Sequence, residues 1–235
     1  MNRGSHLHSY WPMIVSIAFG FVVPRTLGAD DLLQKRYNHA FEAVADQPGL
    51  PRVLLIGDSI SVYYTVPTRG RLKGKANVHR IPVNGGNTDL GKTRIDEWLG
   101  RGRWDVIHFN WGLHDLIINP DGRRAVSLAQ YENNLQQIVL RLKLTKATLI
   151  WATTTPVPPY IRDGPIRAND DVVAYNAAAL RVMQRNEIRV DDLYSFVLPD
   201  LWQLQLPNNV HFNLQGSNML AGQVARSILI ALTSR

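Results

Sequence analysis

The sequence predicts a three-layer α/β/α fold with about five parallel strands, and two observations carry that expectation. Short, continuous apolar runs recur along the chain, as strands buried on both faces do. Helix-length stretches with apolar residues near the 3.6-residue period separate them. Strands alternating with helices imply a mostly parallel sheet covered on both faces, a flavodoxin-like arrangement.

The elements follow in order. Residues 30–46 place Leu32, Leu33, Tyr37, Ala40, Phe41 and Val44 near helical spacing, so a helix precedes the sheet. The run 53–56, Val-Leu-Leu-Ile, ends at Gly57 and reads as the first buried strand. Similar runs follow at 78–83, 106–109, 147–152 and 188–190, with helical stretches at 90–99, 128–144, 172–184 and 214–232. The longest irregular segment, 153–170, holds Pro156, Pro158, Pro159 and Pro165. A loop of that length is usually a functional segment or a lid. In such sheets ligands bind at the carboxyl ends of the strands, near the point where strand order reverses.

A chain of 235 residues with 45% hydrophobic content has room for one ordinary core. Residues 1–29 form a segment of their own: Arg3 and polar residues, an apolar run over 13–23, then Pro24 to Ala29. This is a signal-peptide layout, since the run is about half of the ~20 residues a spanning helix needs. It predicts cleavage after Ala29, export to a periplasm or the medium, and one domain over 30–235 without stable membrane insertion. There are no cysteines, which excludes disulfides, thiolate nucleophiles and cysteine-based zinc sites. Residues 30–235 keep 24 of the 26 Lys and Arg, Arg3 and Arg25 lying before them, against all 19 Asp and Glu, a formal charge of +5. The positive charges are scattered and not interleaved with aromatics, so no nucleic-acid groove is expected; an acidic polysaccharide or anionic surface fits such a chain equally well, and the loop residues Arg162 and Arg167 are placed to meet acidic sugars.

The chemistry gathers in the loops that follow the strands. Gly57-Asp58-Ser59-Ile60 puts Ser59 at a strand-to-helix turn, where a nucleophile or a simple helix cap would sit. His211 stands in a loop just before the last helix and is the candidate general base. Asn84-Gly85-Gly86-Asn87-Thr88 follows the second strand and Asn110-Trp111-Gly112-Leu113-His114-Asp115 the third, each rich in hydrogen-bond donors. His108 and His114 invite a metal reading, but a strand should bury His108 and no third ligand is evident.

These blocks, in this order, resemble the SGNH hydrolases, also called GDSL esterases and lipases. Gly57-Asp58-Ser59 is similar to the family's first block, Gly86 to its oxyanion glycine, Gly112-Leu113-His114-Asp115 to its Gly-x-Asn-Asp, and Asn208-Asn209-Val210-His211 to its Asp-x-x-His. The resemblance implies a serine esterase without a cofactor, acting on a small-molecule or carbohydrate ester. Its nucleophile would be Ser59, its base His211, and its oxyanion donors the Ser59 and Gly86 N–H groups with a side chain from the third block.

Two positions depart from the pattern. His114 replaces the asparagine, although an imidazole N–H can also donate to an oxyanion, and Asn110 is an alternative. Asn208 replaces the aspartate that would orient His211, a change that costs about 10⁴ in kcat in a protease triad. Asn209, Asp200 or a backbone carbonyl could substitute. A noncatalytic carbohydrate-binding or cell-envelope protein and an acyltransferase are the competing readings. The Gly-x-Ser-x-Gly elbow, the P-loop and the dinucleotide-binding glycine motif are all absent.

Overall fold

The computed structural model describes Met1 and residues 28–162 and 164–234. Most of the expected signal segment therefore lies outside the described residues. Five strands form one sheet in the order β2-β1-β3-β4-β5, every pair parallel. They are β1 (Arg52–Ile56), β2 (Asn77–Arg80), β3 (Val106–Phe109), β4 (Thr148–Ala152) and β5 (Arg189–Asp191). The fold class expected from the alternating pattern is the one observed.

Helices cover both faces. On one lie α1 (Ala29–Ala40), α2 (Ser59–Arg71) and the C-terminal α8 (Leu214–Thr233), which pack on one another. On the other, α3 (Thr88–Leu99), α4 (Leu128–Lys143) and α5 (Asn169–Asn186) pack in sequence. After β5 come α6 (Leu193–Val197), a 3₁₀ turn (Leu198–Asp200) and α7 (Leu201–Leu204). Val53, Leu55, Ile56, Val106, Ile107, Phe109, Ile150 and Trp151 are fully buried between the layers, which explains why these strands read as unbroken apolar runs.

The boundaries differ from the sequence reading where local chemistry intervenes. The helix expected to reach residue 46 stops at Ala40, with Phe41 as its C-cap. β2 ends at Arg80 instead of residue 83, because Pro82 has no N–H to give the ladder. α5 starts three residues early, with Asp170 and Asp171 in its first turn, where carboxylates favour the helix dipole. α2 was marked only by the turn at Ser59. Its β-branched residues and the internal Pro67 disfavour a helix locally, yet Ile60, Val62, Tyr64, Thr65 and Thr68 are buried and packing overrides propensity.

The first β-α-β unit runs to one side of β1, and the chain then crosses back to β3 on the other. Strand order thus reverses beside β1. Its carboxyl end opens on Gly57, Asp58 and Ser59, where such sheets place their ligands.

Candidate active site

Ser59 is the first residue of α2, capped by Asp58, whose Oδ1 accepts the Ile60 N–H at 2.9 Å. At this first helical position the Ser59 N–H has no intrahelical acceptor and is available to a ligand. Arg80 braces the turn from the end of β2, donating from Nη2 to the Gly57 carbonyl at 2.9 Å and from Nη1 to Ser61 Oγ at 2.5 Å. Burial pulls its guanidinium down to about 10.

The loop after β2 comes within main-chain contact of this turn: the Gly85 N–H donates to the Gly57 carbonyl at 2.9 Å. A Cβ on Gly85 would sit 2.9 Å from that oxygen, so only glycine permits the approach. Gly86 has φ +58°, and its N–H donates to Asn84 Oδ1 at 3.0 Å. The donor expected to be free for an oxyanion is therefore engaged in this structure.

His211 reaches Ser59 from the far end of the chain. A bridge between Gln205 and Phe212, with the Leu206 N–H donating to the His211 carbonyl at 2.9 Å, closes the loop that carries it. His211 Nε2 lies 2.8 Å from Ser59 Oγ. Its Nδ1 lies 2.8 Å from Asn209 Oδ1, which also accepts the His211 main-chain N–H at 3.0 Å.

Asn208, expected in this role, makes no hydrogen bond to the imidazole, whose Nδ1 partner is Asn209. It sits at φ +55° and offers its carbonyl to the Arg162 N–H at 3.1 Å. The left-handed residue turns the chain so that its neighbour, not its own side chain, meets His211. Asp200 is exposed in the 3₁₀ turn and is not the hydrogen-bond partner of His211.

His114 lines the same cavity of about 340 Å³ as Ser59, Asn84 and His211, and its ring has no hydrogen-bond partner among the described residues. Asn110 points elsewhere, its Nδ2 donating to the Ala152 carbonyl at 2.8 Å, which removes it as an oxyanion donor. Asp115 staples the two loops together: Oδ1 accepts the Thr88 N–H at 2.8 Å and its hydroxyl at 2.5 Å. Burial pushes this carboxyl up to about 7.

Residues 55–218 match the model of the GDSL-like lipase/acylhydrolase family. The chain belongs to that family. Among solved structures it is similar to the acetyl xylan esterase AlAXEase (16% identity, TM-score 0.65, covering 75% of this chain and 99% of that one). It is also similar to a lipase/acylhydrolase from Enterococcus faecalis (20%, 0.63, 76% and 95%) and to an acetylxylan esterase from Geobacillus stearothermophilus (19%, 0.64, 76% and 94%). No curated protein matches the sequence significantly.

Within this GDSL-like chain the electrostatics of the site are set by four groups. Burial holds the His211 and His114 imidazoles below the ordinary histidine value. The Asp58 carboxylate pulls both back up, whereas Arg167 pushes both down, and His114 adds to the depression of His211. Asp58 Oδ2 is buried without a hydrogen-bond partner among the described residues, so its charge is little screened.

The metal reading fails on placement. His108 is fully buried in β3, its Nε2 3.0 Å from Asp191 Oδ2, away from the cavity that His114 lines. Among the described residues no cluster of three or more His, Cys, Asp or Glu is disposed to hold a metal, and none of their helices is long and apolar enough to cross a membrane. Sequence alone assigns no separate role to Asp58 or Arg80, whereas it offers Asn209 as a substitute acceptor for His211 and Arg167 as a basic loop residue. Asn209 carries a local signal as well, since an Asn two residues before another residue commonly accepts its main-chain N–H.

Proposed function

We propose that this chain is a serine esterase that cleaves short acyl esters, O-acetyl groups on carbohydrate among them, through an acyl-enzyme at Ser59. The observation that carries this reading is the relay of two 2.8 Å contacts, Ser59 Oγ to His211 Nε2 and His211 Nδ1 to Asn209 Oδ1, facing one cavity.

Its chemistry follows from the hydrogen bonds. A main-chain N–H can only donate, so the Asn209 atom that receives it is the oxygen. That oxygen then accepts from Nδ1–H, which leaves the lone pair on Nε2 facing the serine hydroxyl. His211 removes the Ser59 proton as Oγ attacks the ester carbonyl, and returns it to the departing alcohol. Water, deprotonated by the same imidazole, then releases the acid and frees Ser59.

The oxyanion meets the Ser59 N–H and the His114 ring N–H. As negative charge develops, the Gly86 N–H exchanges the neutral Asn84 oxygen for the stronger, charged acceptor. Asn209 lacks the charge that stabilises an imidazolium, and the buried Asp58 carboxylate supplies part of it at longer range.

The acetylxylan esterases among its structural neighbours, and a cavity near the lower end of the ~300–1,000 Å³ usual for small-ligand sites, favour a small acyl group on a sugar over a long-chain lipid. Turnover of 4-nitrophenyl acetate and labelling of Ser59 by a fluorophosphonate test the proposal. Absence of both rejects it in favour of a binding protein that kept the fold. The signal-peptide reading adds export, and N-terminal sequencing of secreted protein should begin near Asp30.

A further inference from the structure

We propose that Arg167 selects the substrate: the site takes an O-acylated sugar acid, whose carboxylate is held by this guanidinium while the ester lies against Ser59. The inference rests on the esterase reading and narrows it to one substrate class.

Arg167 comes from the irregular segment that follows β4 and lines the cavity together with Ser59, His114 and His211. Although it is only 8% exposed, both of its hydrogen bonds go to neutral main-chain carbonyls: Nε to Leu113 at 2.5 Å and Nη1 to Pro165 at 3.0 Å. Three of its five N–H donors have no partner among the described residues. No carboxylate among those residues forms an ion pair with it, unlike Arg124 with Asp171 or Arg181 with Glu132.

A buried, unpaired guanidinium is costly unless something completes it. Here the cost has a second side, because the positive charge also depresses both imidazoles of the site. An anion bound at Arg167 relieves both. The planar fork fits a carboxylate through two parallel hydrogen bonds. Arg167 is the only formally charged side chain among the described residues that line the cavity, and the one carboxylate whose field reaches it, Asp58, lies behind the lining and makes no ion pair with it.

Other lining residues suit a sugar ring as the carrier of that carboxylate. Tyr37 and Tyr63 lie with ring centroids 5.6 Å apart, half-buried on the cavity wall, and Tyr63 is 5.5 Å from the His211 ring. Each offers an apolar face and a polar tip, the combination that a pyranose with its C–H and O–H faces requires.

The test compares methyl 2-O-acetylglucuronoside with its neutral 6-carboxamide. Wild type should favour the carboxylate by ~10- to 100-fold in kcat/KM, the usual worth of a charge-assisted hydrogen bond. Arg167→Gln should lose that factor more on the carboxylate than on the amide, with Arg167→Lys between. No preference in wild type overturns the proposal, even if Arg167→Gln does not fold. An equal loss on both substrates overturns it too, since Arg167 would then act on the oxyanion or on the fold. Should neither sugar turn over while 4-nitrophenyl acetate does, the substrate proposal is overturned and the esterase reading stands; should 4-nitrophenyl acetate also fail and Ser59 resist a fluorophosphonate, the esterase reading fails. Titration calorimetry with the unacetylated glucuronoside then decides the carboxylate site alone: binding weakened ~10-fold or more in Arg167→Gln supports it, and equal or undetectable binding to both proteins rejects it.

Discussion

Asn209 Oδ1 accepts two hydrogen bonds from His211, one from the main-chain N–H at 3.0 Å and one from Nδ1 at 2.8 Å. The first identifies the amide oxygen and the second fixes the imidazole tautomer. A residue one position away from the family's aspartate thus does the orienting work without its charge.

Asn209→Asp should therefore raise kcat, by ~10-fold or more, because a carboxylate there keeps the geometry and stabilises the imidazolium. The sign of the pH effect follows. His211 is held below the ordinary histidine value and the added negative charge favours its protonated form. The acidic limb of the kcat/KM profile should move to higher pH. Asn208→Asp should change kcat by no more than about 2-fold and move the acidic limb less than Asn209→Asp does, because its side chain makes no hydrogen bond to the imidazole and Asp also tolerates the left-handed conformation at φ +55°. Steady-state kinetics across pH 4 to 9 on both variants separate the two positions.

Asn209→Leu removes the acceptor altogether and leaves Nδ1–H without a protein partner. A hydrogen bond of this kind is worth ~1–3 kcal/mol, so kcat should fall ~10- to 100-fold. Unchanged turnover would mean that another group orients His211.

Ser59→Ala should lower hydrolysis of short acyl esters by ~10³-fold or more while the fold persists. Among the described residues the hydroxyl bonds to His211, and the helix cap rests on Asp58, so circular dichroism and thermal melting should be unaltered.

His114→Ala should reduce kcat by ~10² to 10³ with a smaller change in KM, since a donor aimed at the oxyanion matters mainly in the transition state. Because His114 also depresses the His211 pKa, the acidic limb of the residual activity should move upward. A rise in KM at constant kcat would place His114 in ground-state binding instead.

Asp115→Asn should change how stability depends on pH. Burial raises the folded-state pKa of Asp115 from 3.8 to about 7, so the folded state holds a proton that the unfolded chain releases. That contribution is fully present below about pH 3.8 and is lost as pH rises through 7. Across this window wild type should lose up to ~4 kcal/mol relative to Asp115→Asn, whose amide does not titrate. Parallel denaturant titrations at pH 4 and 8 measure the difference.

Much of this protein was determined locally and was therefore legible in its sequence. The runs at β1, β3 and β4 are buried on both faces by helices, so burial wrote itself into them as unbroken apolar stretches. The turn after β1 puts Ser59 at the sheet's carboxyl edge, which marks it locally as a candidate nucleophile. What only the tertiary structure decided lies in contacts between segments far apart in the chain. Ser59 and His211 are separated by 152 positions and meet through the folding of the α6–α8 region over the sheet edge. α2 is helical against its own proline and β-branched residues because α1 and α8 bury one side of it. A positive φ at Asn208 shifts the orienting role to Asn209, and one backbone angle cannot be read from four letters of a motif. Arg167 enters the site because its guanidinium reaches the Leu113 carbonyl 54 positions away. In each case the deciding energy is the burial or pairing of groups that sequence spacing leaves apart.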